Sequence, residues 1–271
     1  MTGQDAGNGP AKFRNYASDR VLPGQWSLRR AMMGSVNGQV VIVTGGGGNL
    51  GRAVASAFAA AGAQLALVDL HSDRVAEVIN GLPGGAETHL AIGGDLSTPD
   101  GVLAVLNAIV ARFGRVDSLV HTVGGYAAGK PVHEETLDVL DKMINLNVRP
   151  LYLVGGAVAR QLLAQGGGGS IVFILAKAGQ KGGKNSAAYT ASKAAATRVM
   201  EAMAAELRDA NIRVNGVSPS TIDTPLNRQQ MPDSDPGKWV TPAQLAEACV
   251  YLCAGDTGIY GANIEVFGKG G

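Results

Sequence analysis

Val41-Ile42-Val43-Thr44-Gly45-Gly46-Gly47-Gly48-Asn49-Leu50-Gly51 is the stretch whose reading decides the fold. A β-branched apolar run enters it, and an alanine-rich helical pattern, Arg52 to Ala61, leaves it. A turn from strand to helix presents unpaired backbone N–H groups and the positive end of the helix dipole, which together make an anion site. Glycines let the backbone approach a pyrophosphate without a Cβ in the way. A bare glycine cluster equally describes a tight loop or a low-complexity linker. Here the strand before it, the helix after it and an acid about twenty residues on favour the nucleotide reading. That acid is Asp69, which closes the next apolar run, Gln64-Leu65-Ala66-Leu67-Val68. A carboxylate there accepts hydrogen bonds from the adenosine ribose and repels a 2′-phosphate, so the cofactor expected is NAD (NADH), with NADP the weaker candidate.

Composition sets the outer bounds. The 271 residues are 46% hydrophobic with a net charge of +1, which suits one large domain with a well-buried core. Near-neutral charge gives no electrostatic case for nucleic acid or an anionic membrane. No apolar run approaches the roughly twenty residues that a membrane span requires. Cys249 and Cys253 lie four apart in a helical pattern, poor geometry for a disulfide, and read as packing residues of a reduced, cytoplasmic protein. His121 and His133 have no metal-ligand spacing, and no metal is expected.

The chain divides into residues 1–36, polar and without periodicity, and residues 37–271, read as one dinucleotide-binding catalytic domain. The first part reads as a flexible extension lacking a secretory apolar core. An amphipathic turn at Trp26 to Met33 docking on a neighbouring subunit is an alternative, as is a true start at Met32 or Met33. Beyond it, strands expected at 40–44, 64–69, 89–93, 118–122, 170–175, 213–218 and 263–267 are short and apolar, as buried parallel strands are. Helices are expected at 50–61, 73–80, 99–113, 137–165, 187–211 and 241–254, with Asp95 and Thr241 as strand-end or capping groups. The tetraglycine 166–169 reads as a loop. Regular alternation predicts an α/β fold, a Rossmann-type doubly wound parallel sheet of seven strands with helices on both faces.

After the fifth strand comes Ala188-Tyr189-Thr190-Ala191-Ser192-Lys193, opening a helix. Tyr189 and Lys193, four apart, share one helix face. An ammonium near a phenol stabilises phenolate and brings its pKa down from about 10, which makes tyrosine usable as an acid and base. The same spacing occurs on solvated helix faces; its place in a dinucleotide fold is what gives it weight.

Taken in order, these pieces resemble the short-chain dehydrogenase/reductase family from about Gln39 to Gly271: the turn 44–51, Asp69, Asp95-Leu96, Gly124, Asn147, Tyr189, Lys193, Val214-Asn215-Gly216-Val217-Ser218-Pro219 and Thr224-Pro225. The resemblance implies that Tyr189 is the general acid/base. Lys193 would bind the nicotinamide ribose and tune Tyr189, and Asn147 would hold a water relaying protons to Lys193. Asp95 would contact adenine, and Ile222 and Thr224 the carboxamide; Gly45, Gly48, Asn49, Leu50, Gly51, Leu96, Gly124 and Pro219 complete the implied cofactor contacts. It also implies a homodimer or homotetramer built on helices 137–165 and 187–211, whose faces carry Ala194-Ala195-Ala196 and Ala204-Ala205.

The departures carry information too. The family usually has Gly at Asn49, which Asn replaces because it too accepts φ > 0. It has Asn-Asn-Ala-Gly at His121-Thr122-Val123-Gly124 and Pro-Gly at Pro219-Ser220. Its catalytic serine falls at Ala176, where no hydroxyl exists, and losing such a donor typically costs about 2.7–4 kcal/mol of transition-state stabilisation. One branch, resembling quinonoid dihydropteridine reductase, also has Ala-Lys there and uses NADH. The likeness includes Gly124-Gly125-Tyr126-Ala127 and Asp223-Thr224-Pro225-Leu226-Asn227-Arg228 with Met231-Pro232, Asp235 and Trp239. That branch shortens the segment between strands two and four, whereas this chain keeps helix 73–80 and strand 89–93 there. The expected activity is hydride transfer between NAD(H) and a small carbonyl or an activated ring acceptor of the quinonoid dihydropterin kind. Lys177 is either a substitute donor or a solvated loop residue, and residues 220–240 are expected to cover the pocket with Met231 and Trp239. An ordinary alcohol dehydrogenase or ketoreductase is the alternative within enzymes. A catalytically weak NAD-binding scaffold or sensor subunit is the alternative outside them.

Overall fold

Seven segments rich in Val, Ile and Leu form strands: β1 Val40–Thr44, β2 Gln64–Asp69, β3 Leu90–Gly93, β4 Ser118–His121, β5 Gly169–Ile174, β6 Ile212–Pro219 and β7 Asn263–Val266. The computed structural model describes residues 35–255 and 257–270, so the extension read at 1–36 lies, up to residue 34, outside the described residues. Ser35 and Val36 belong to the folded part, and Val36 is buried in the core. Every strand pair is parallel, in the order β3-β2-β1-β4-β5-β6-β7. Nine helices among the described residues complete the alternation. They are α1 Asn49–Ala60, α2 Ser72–Asn80, α3 Gly85–Thr88, α4 Pro99–Phe113, α5 Leu137–Asn147, α6 Arg149–Gln165, α7 Ala187–Leu207, α8 Pro225–Gln230 and α9 Pro242–Cys253. None is long and apolar enough to cross a membrane.

Side chains alternate across a strand, so each apolar run feeds two cores. Val40, Ile42, Leu119, Ile171 and Phe173 point to one face and pack with Ile109 of α4, Leu162 of α6 and Met200 of α7. Val41, Val43, Val120 and Val172 point to the other and pack with Phe58 of α1, Val75 of α2, and Leu245 and Cys249 of α9. Cys249 and Cys253 are both free and buried there, as their helical spacing suggests. Strand order reverses between β1 and β4, which opens a crevice at the carboxyl ends of those two strands.

Several local boundaries differ from expectation for identifiable reasons. Helix 137–165 divides at Val148 (φ −112°, ψ −53°), because Pro150 lacks the N–H that would continue the ladder and disfavours helical backbone before it. That break places Asn147 at a helix end. The cap of α4 is Thr98, which accepts from Gly101 N at 3.1 Å, while Asp95 instead accepts from Ser97 N and Ser97 Oγ at 2.9 and 2.6 Å. Thr241 does cap α9, in a capping box with Gln244. Helix α7 ends at Leu207, four residues early, and α8 falls in a stretch with too little periodicity to be read. Ala196 and Ala204 face the core, so of the small-residue faces only their neighbours remain for a partner.

Tight helix–turn packing sets up one test. A Cβ on Gly51 would overlap the Gly45 carbonyl, which is backbone and cannot swing away. Gly51→Ala should therefore destabilise the domain by about 1–3 kcal/mol, the range for overpacking, despite better helix propensity. Denaturant midpoints check it; an unchanged midpoint contradicts the packing.

Candidate active site

At the crevice, the chain leaves β1 through Gly45, whose φ of +69° favours glycine, and Gly48 becomes the N-cap of α1. Gly48 N donates to Gly45 O at 3.0 Å, which curls the turn. No side chain caps α1 and no acid occupies its first turn, so its leading N–H groups and dipole face the crevice uncompensated. Those features fit a pyrophosphate. Asn49 is the first helical residue with an ordinary negative φ, so the left-handed tolerance invoked for Asn is not needed. Across the crevice, Thr122 latches the strand ends: its Oγ1 and its N donate to Thr44 O at 2.7 and 3.3 Å.

Asp69 lies beside the turn. Its Oδ2 accepts from Gly47 N at 3.1 Å and its Oδ1 from Leu70 N at 2.9 Å. A Cβ on Gly47 would come within 2.9 Å of that carboxylate. Arg74 reaches both sides of the pair, 3.5 Å from Asp69 Oδ1 and 3.2 Å from Gly47 O. Arg52 donates to the same Gly47 oxygen at 3.1 Å and is held by Glu77. Neither arginine was singled out from sequence; each is read only once β2, α2 and the turn are side by side.

The structure brings Lys193, Asn147 and Gly124 together, with Tyr189 one turn before Lys193 on α7. Lys193 is 6% exposed, and its Nζ donates to Ile174 O at 3.2 Å, with no carboxylate in ion-pair reach among the described residues. A Cβ on Gly124 would lie 2.8 Å from Asn147 Oδ1 and 3.3 Å from Lys193 Nζ, so only glycine leaves that junction open. Asn147 Oδ1 accepts from Gly125 N at 2.9 Å, and its amide donates to Gly125 O at 3.1 Å and Ser192 Oγ at 3.0 Å. Both amide hydrogens are committed, so this side chain clamps the loop after β4 to α7.

Burial governs the protonation of the pair. It pushes the Lys193 ammonium down to about 8. It pushes the Tyr189 phenol up to about 12, helped by the nearby Tyr126 phenol. The lowering of Tyr189 by Lys193 expected from spacing is thus not what sets this phenol; burial and Tyr126 both raise it. Tyr126 stands edge-on to Tyr189, ring centroids 4.8 Å apart at 75°.

The remaining predicted residues frame this centre. Ala176 is buried at the end of β5, and Lys177 Nζ lies 4.7 Å from the Phe267 ring centroid, which answers the question of its engagement: it stacks on the C-terminal segment. Pro219 closes β6, and Ile222 bridges Val240, tying the base of the segment 220–240 to the fold. Thr224 caps α8 by accepting from Asn227 N at 3.2 Å. The Leu96 side chain is buried in the core beside α4. Asp95 is exposed, and its bonds to Ser97 hold its carboxyl below the usual range. No cluster of three metal-ligating side chains occurs among the described residues.

His121 is the neighbour sequence reading undervalued. It is 1% exposed, its Nδ1 lies 2.8 Å from Thr44 Oγ1, and its Nε2 has no partner among the described residues. Burial, and then the Lys193 charge, push it down to about 3, so it is neutral. The signal was its place, where the family carries Asn.

The short chain dehydrogenase family model matches residues 39–235. D-threitol dehydrogenase of Mycolicibacterium smegmatis is 31% identical over 243 residues, covering 86% of this chain and 93% of that protein. Among solved structures, NAD+-bound xylitol dehydrogenase is 27% identical with a TM-score of 0.78, covering 85% of this chain and 98% of the other. The 3-ketoacyl-(acyl-carrier-protein) reductase of Brucella melitensis, complexed with NADH, is 28% identical with a TM-score of 0.77, covering 87% and 100%.

Two buried histidines, His121 at the crevice and His89 at the opposite end of the sheet, give the domain a pH signature. His121 titrates near 3 when folded and near 6.5 when unfolded, and burial lowers His89 in the same sense. Below about pH 6.5 the unfolded chain takes up protons that the folded one refuses, so stability held at neutral pH drains as pH falls towards about 3. His121 should account for about 2 kcal/mol of loss between pH 7 and pH 5. Denaturant unfolding of His121→Asn should show a smaller loss over that interval than the parent protein; equal losses contradict a neutral His121.

Proposed function

This chain belongs to the short-chain dehydrogenase family and is an oxidoreductase, and we propose that it moves hydride between NAD(H) and a small carbonyl or activated ring acceptor, with Tyr189 as acid and base. The junction of Lys193, Gly124 and Asn147, with Tyr189 one helical turn before Lys193, together with an uncapped helix N-terminus, is the observation that carries this reading. Bound in the crevice, the nicotinamide cofactor supplies or accepts the hydride. The leading N–H groups of Asn49 and Leu50, with Gly45, Gly48 and Gly51 clearing the approach, would hold its pyrophosphate. Asp69 would accept the ribose hydroxyls, which favours NAD. Asp95 is offered to the adenine, Pro219, Ile222 and Thr224 to the carboxamide, and Lys193 to the nicotinamide ribose. Gly124 keeps Lys193 and the Asn147 clamp within reach of one another.

In reduction, Tyr189 gives its proton to the heteroatom on which negative charge develops. Its high pKa suits it to arrive protonated. Lys193, charged below about pH 8, stabilises the phenolate left behind. Reduction should therefore hold below that pH and decline above it, while oxidation, which needs phenolate, gains with rising pH. Ala176 offers no second hydroxyl, which suits an electron-poor acceptor such as a quinonoid dihydropterin. The likeness to D-threitol and xylitol dehydrogenases supports polyol oxidation and ketone reduction as the second reading. Exposed Tyr152 and Leu163 on α6 support a homodimer or homotetramer, and two free, buried cysteines support a cytoplasmic location.

NADH oxidation with a quinonoid dihydropterin and with simple ketones discriminates the substrate readings. Tyr189→Phe should lose about 10²–10⁴-fold in kcat with NADH affinity retained. Equal rates contradict its role, and tight NADH binding without turnover by the parent protein favours a scaffold. Asp69→Ala should shift the NADPH/NADH preference by about tenfold or more, a change of about 1.4 kcal/mol; unchanged discrimination contradicts the assignment of Asp69.

A further inference from the structure

Ala176 leaves the site without the hydroxyl that carbonyl reduction calls for, and a second phenol, Tyr126, stands against the Tyr189 ring. As a carbonyl carbon takes up hydride, the π pair moves onto oxygen, and one proton from Tyr189 neutralises only part of the developing charge until transfer is complete. A second fixed donor aimed at that atom is what lowers the barrier. Ala176 presents a methyl group at the end of β5, 5% exposed. Lys177, next along, has its ammonium turned onto Phe267.

Tyr126 approaches from the other wall. It follows Gly124-Gly125, and the Asn147 amide fixes Gly125 through both its N–H and its carbonyl. The backbone that carries Tyr126 is therefore referenced to the same side chain that braces α7 through Ser192. Its ring meets the Tyr189 ring edge-on at 4.8 Å, yet the residue is 67% exposed, so its phenol stays open to an incoming acceptor. A tyrosine hydroxyl both donates and accepts hydrogen bonds. The two phenols also feel one another electrostatically: Tyr126 raises the Tyr189 pKa.

We propose that Tyr126 takes the place of the missing serine hydroxyl, donating the second hydrogen bond to the acceptor atom that Tyr189 protonates. Tyr189 gives up its proton and becomes phenolate; Tyr126 keeps its own and only stabilises the developing charge. The acceptors that fit have a heteroatom reachable from both phenols, with flat faces that the Tyr126 ring can flank. The proposal rests on the hydride chemistry proposed above.

The test uses the full chain with NADH and two probes, a quinonoid dihydropterin and cyclohexanone. Tyr126→Phe keeps the ring and removes the donor, and it should lower kcat about a hundredfold with NADH affinity unchanged. Adding Ala176→Ser to Tyr126→Phe should restore most of that loss, whereas Ala176→Ser alone should add little. A Tyr126→Phe rate within about twofold of the parent overturns the proposal, and so does an Ala176→Ser gain that is equal in both backgrounds. A readout without turnover separates failure here from failure of the oxidoreductase reading. In ultraviolet phenolate titration of the cofactor-free protein, Tyr126→Phe should move the Tyr189 step to lower pH, identified by its absence in Tyr189→Phe. If the Tyr189 step stays in place, the two phenols are not neighbours and the proposal falls, even if the parent protein turns over both probes. If the step moves but neither probe is reduced by the parent, the choice of acceptor in the functional reading is what fails, and the phenol pairing stands.

Discussion

The parallel pairing of β1 with β4 is the constraint from which the site follows. These strands are far apart in sequence, and placing them side by side requires β2 and β3 to be wound to one side and β5, β6 and β7 to the other. The carboxyl ends of β1 and β4 then diverge into loops that no neighbouring strand covers. Thr122 closes the pair with two bonds to a single carbonyl, Thr44 O, and so fixes where the glycine turn starts and where Gly124 and Gly125 must lie. His121 and Thr44, opposite one another in register, continue that linkage on the α7 side of the sheet. A slip of one residue would turn both side chains to the opposite face and carry the loops with them.

Electrostatically, the centre is under-compensated by design of its surroundings. Among the described residues, the buried Lys193 ammonium donates to one carbonyl and His121 keeps an unpartnered nitrogen, while Tyr189 is desolvated. Each environment favours the neutral form of its group. A group held in this way responds strongly when a ligand brings charge or hydroxyls into the crevice, because little solvent screens the change. Asn147 has the opposite character: its amide hydrogens are spent on Gly125 and Ser192, and it contributes rigidity. The division between a stiff clamp and labile titratable groups is what lets the pair keep its geometry while its protonation changes.

The architecture was readily legible in the sequence, because β1, β2, β4, β5 and β6 are largely buried on both faces and most turns carry glycine, so pattern and burial say the same thing. The helix break at Val148 was visible in Pro150 but was overridden by the apolar periodicity on either side. Tyr189, Lys193, Asn147 and Gly124 were legible through spacing and resemblance, yet not the state of their protons. Four-residue spacing predicts proximity, whereas the degree of desolvation depends on what β5 and the loop after β4 place over the pair. Arg74, Arg52 and His121 were missed as site residues for a related reason. Nothing in the local sequence marks the two arginines, and the groups that Arg74 and His121 engage across the turn and the sheet lie more than twenty residues away.

Cofactor choice illustrates how such distant neighbours alter a simple rule. A carboxylate at the end of the second strand opposes a 2′-phosphate by like charge and by occupying the space. Here that carboxylate is partly answered by Arg74, which also holds the Gly47 carbonyl, and Asp69 itself is anchored to Gly47 N. Asp69 therefore acts from a fixed position, 11% exposed, whereas Arg74 is about half exposed and retains freedom to turn outward. The contact between them is long at 3.5 Å and open to solvent, so it offsets little of the Asp69 charge. The charge presented beside the glycine turn is therefore set mainly by the less exposed member of the pair, Asp69, and only weakly by the arginine.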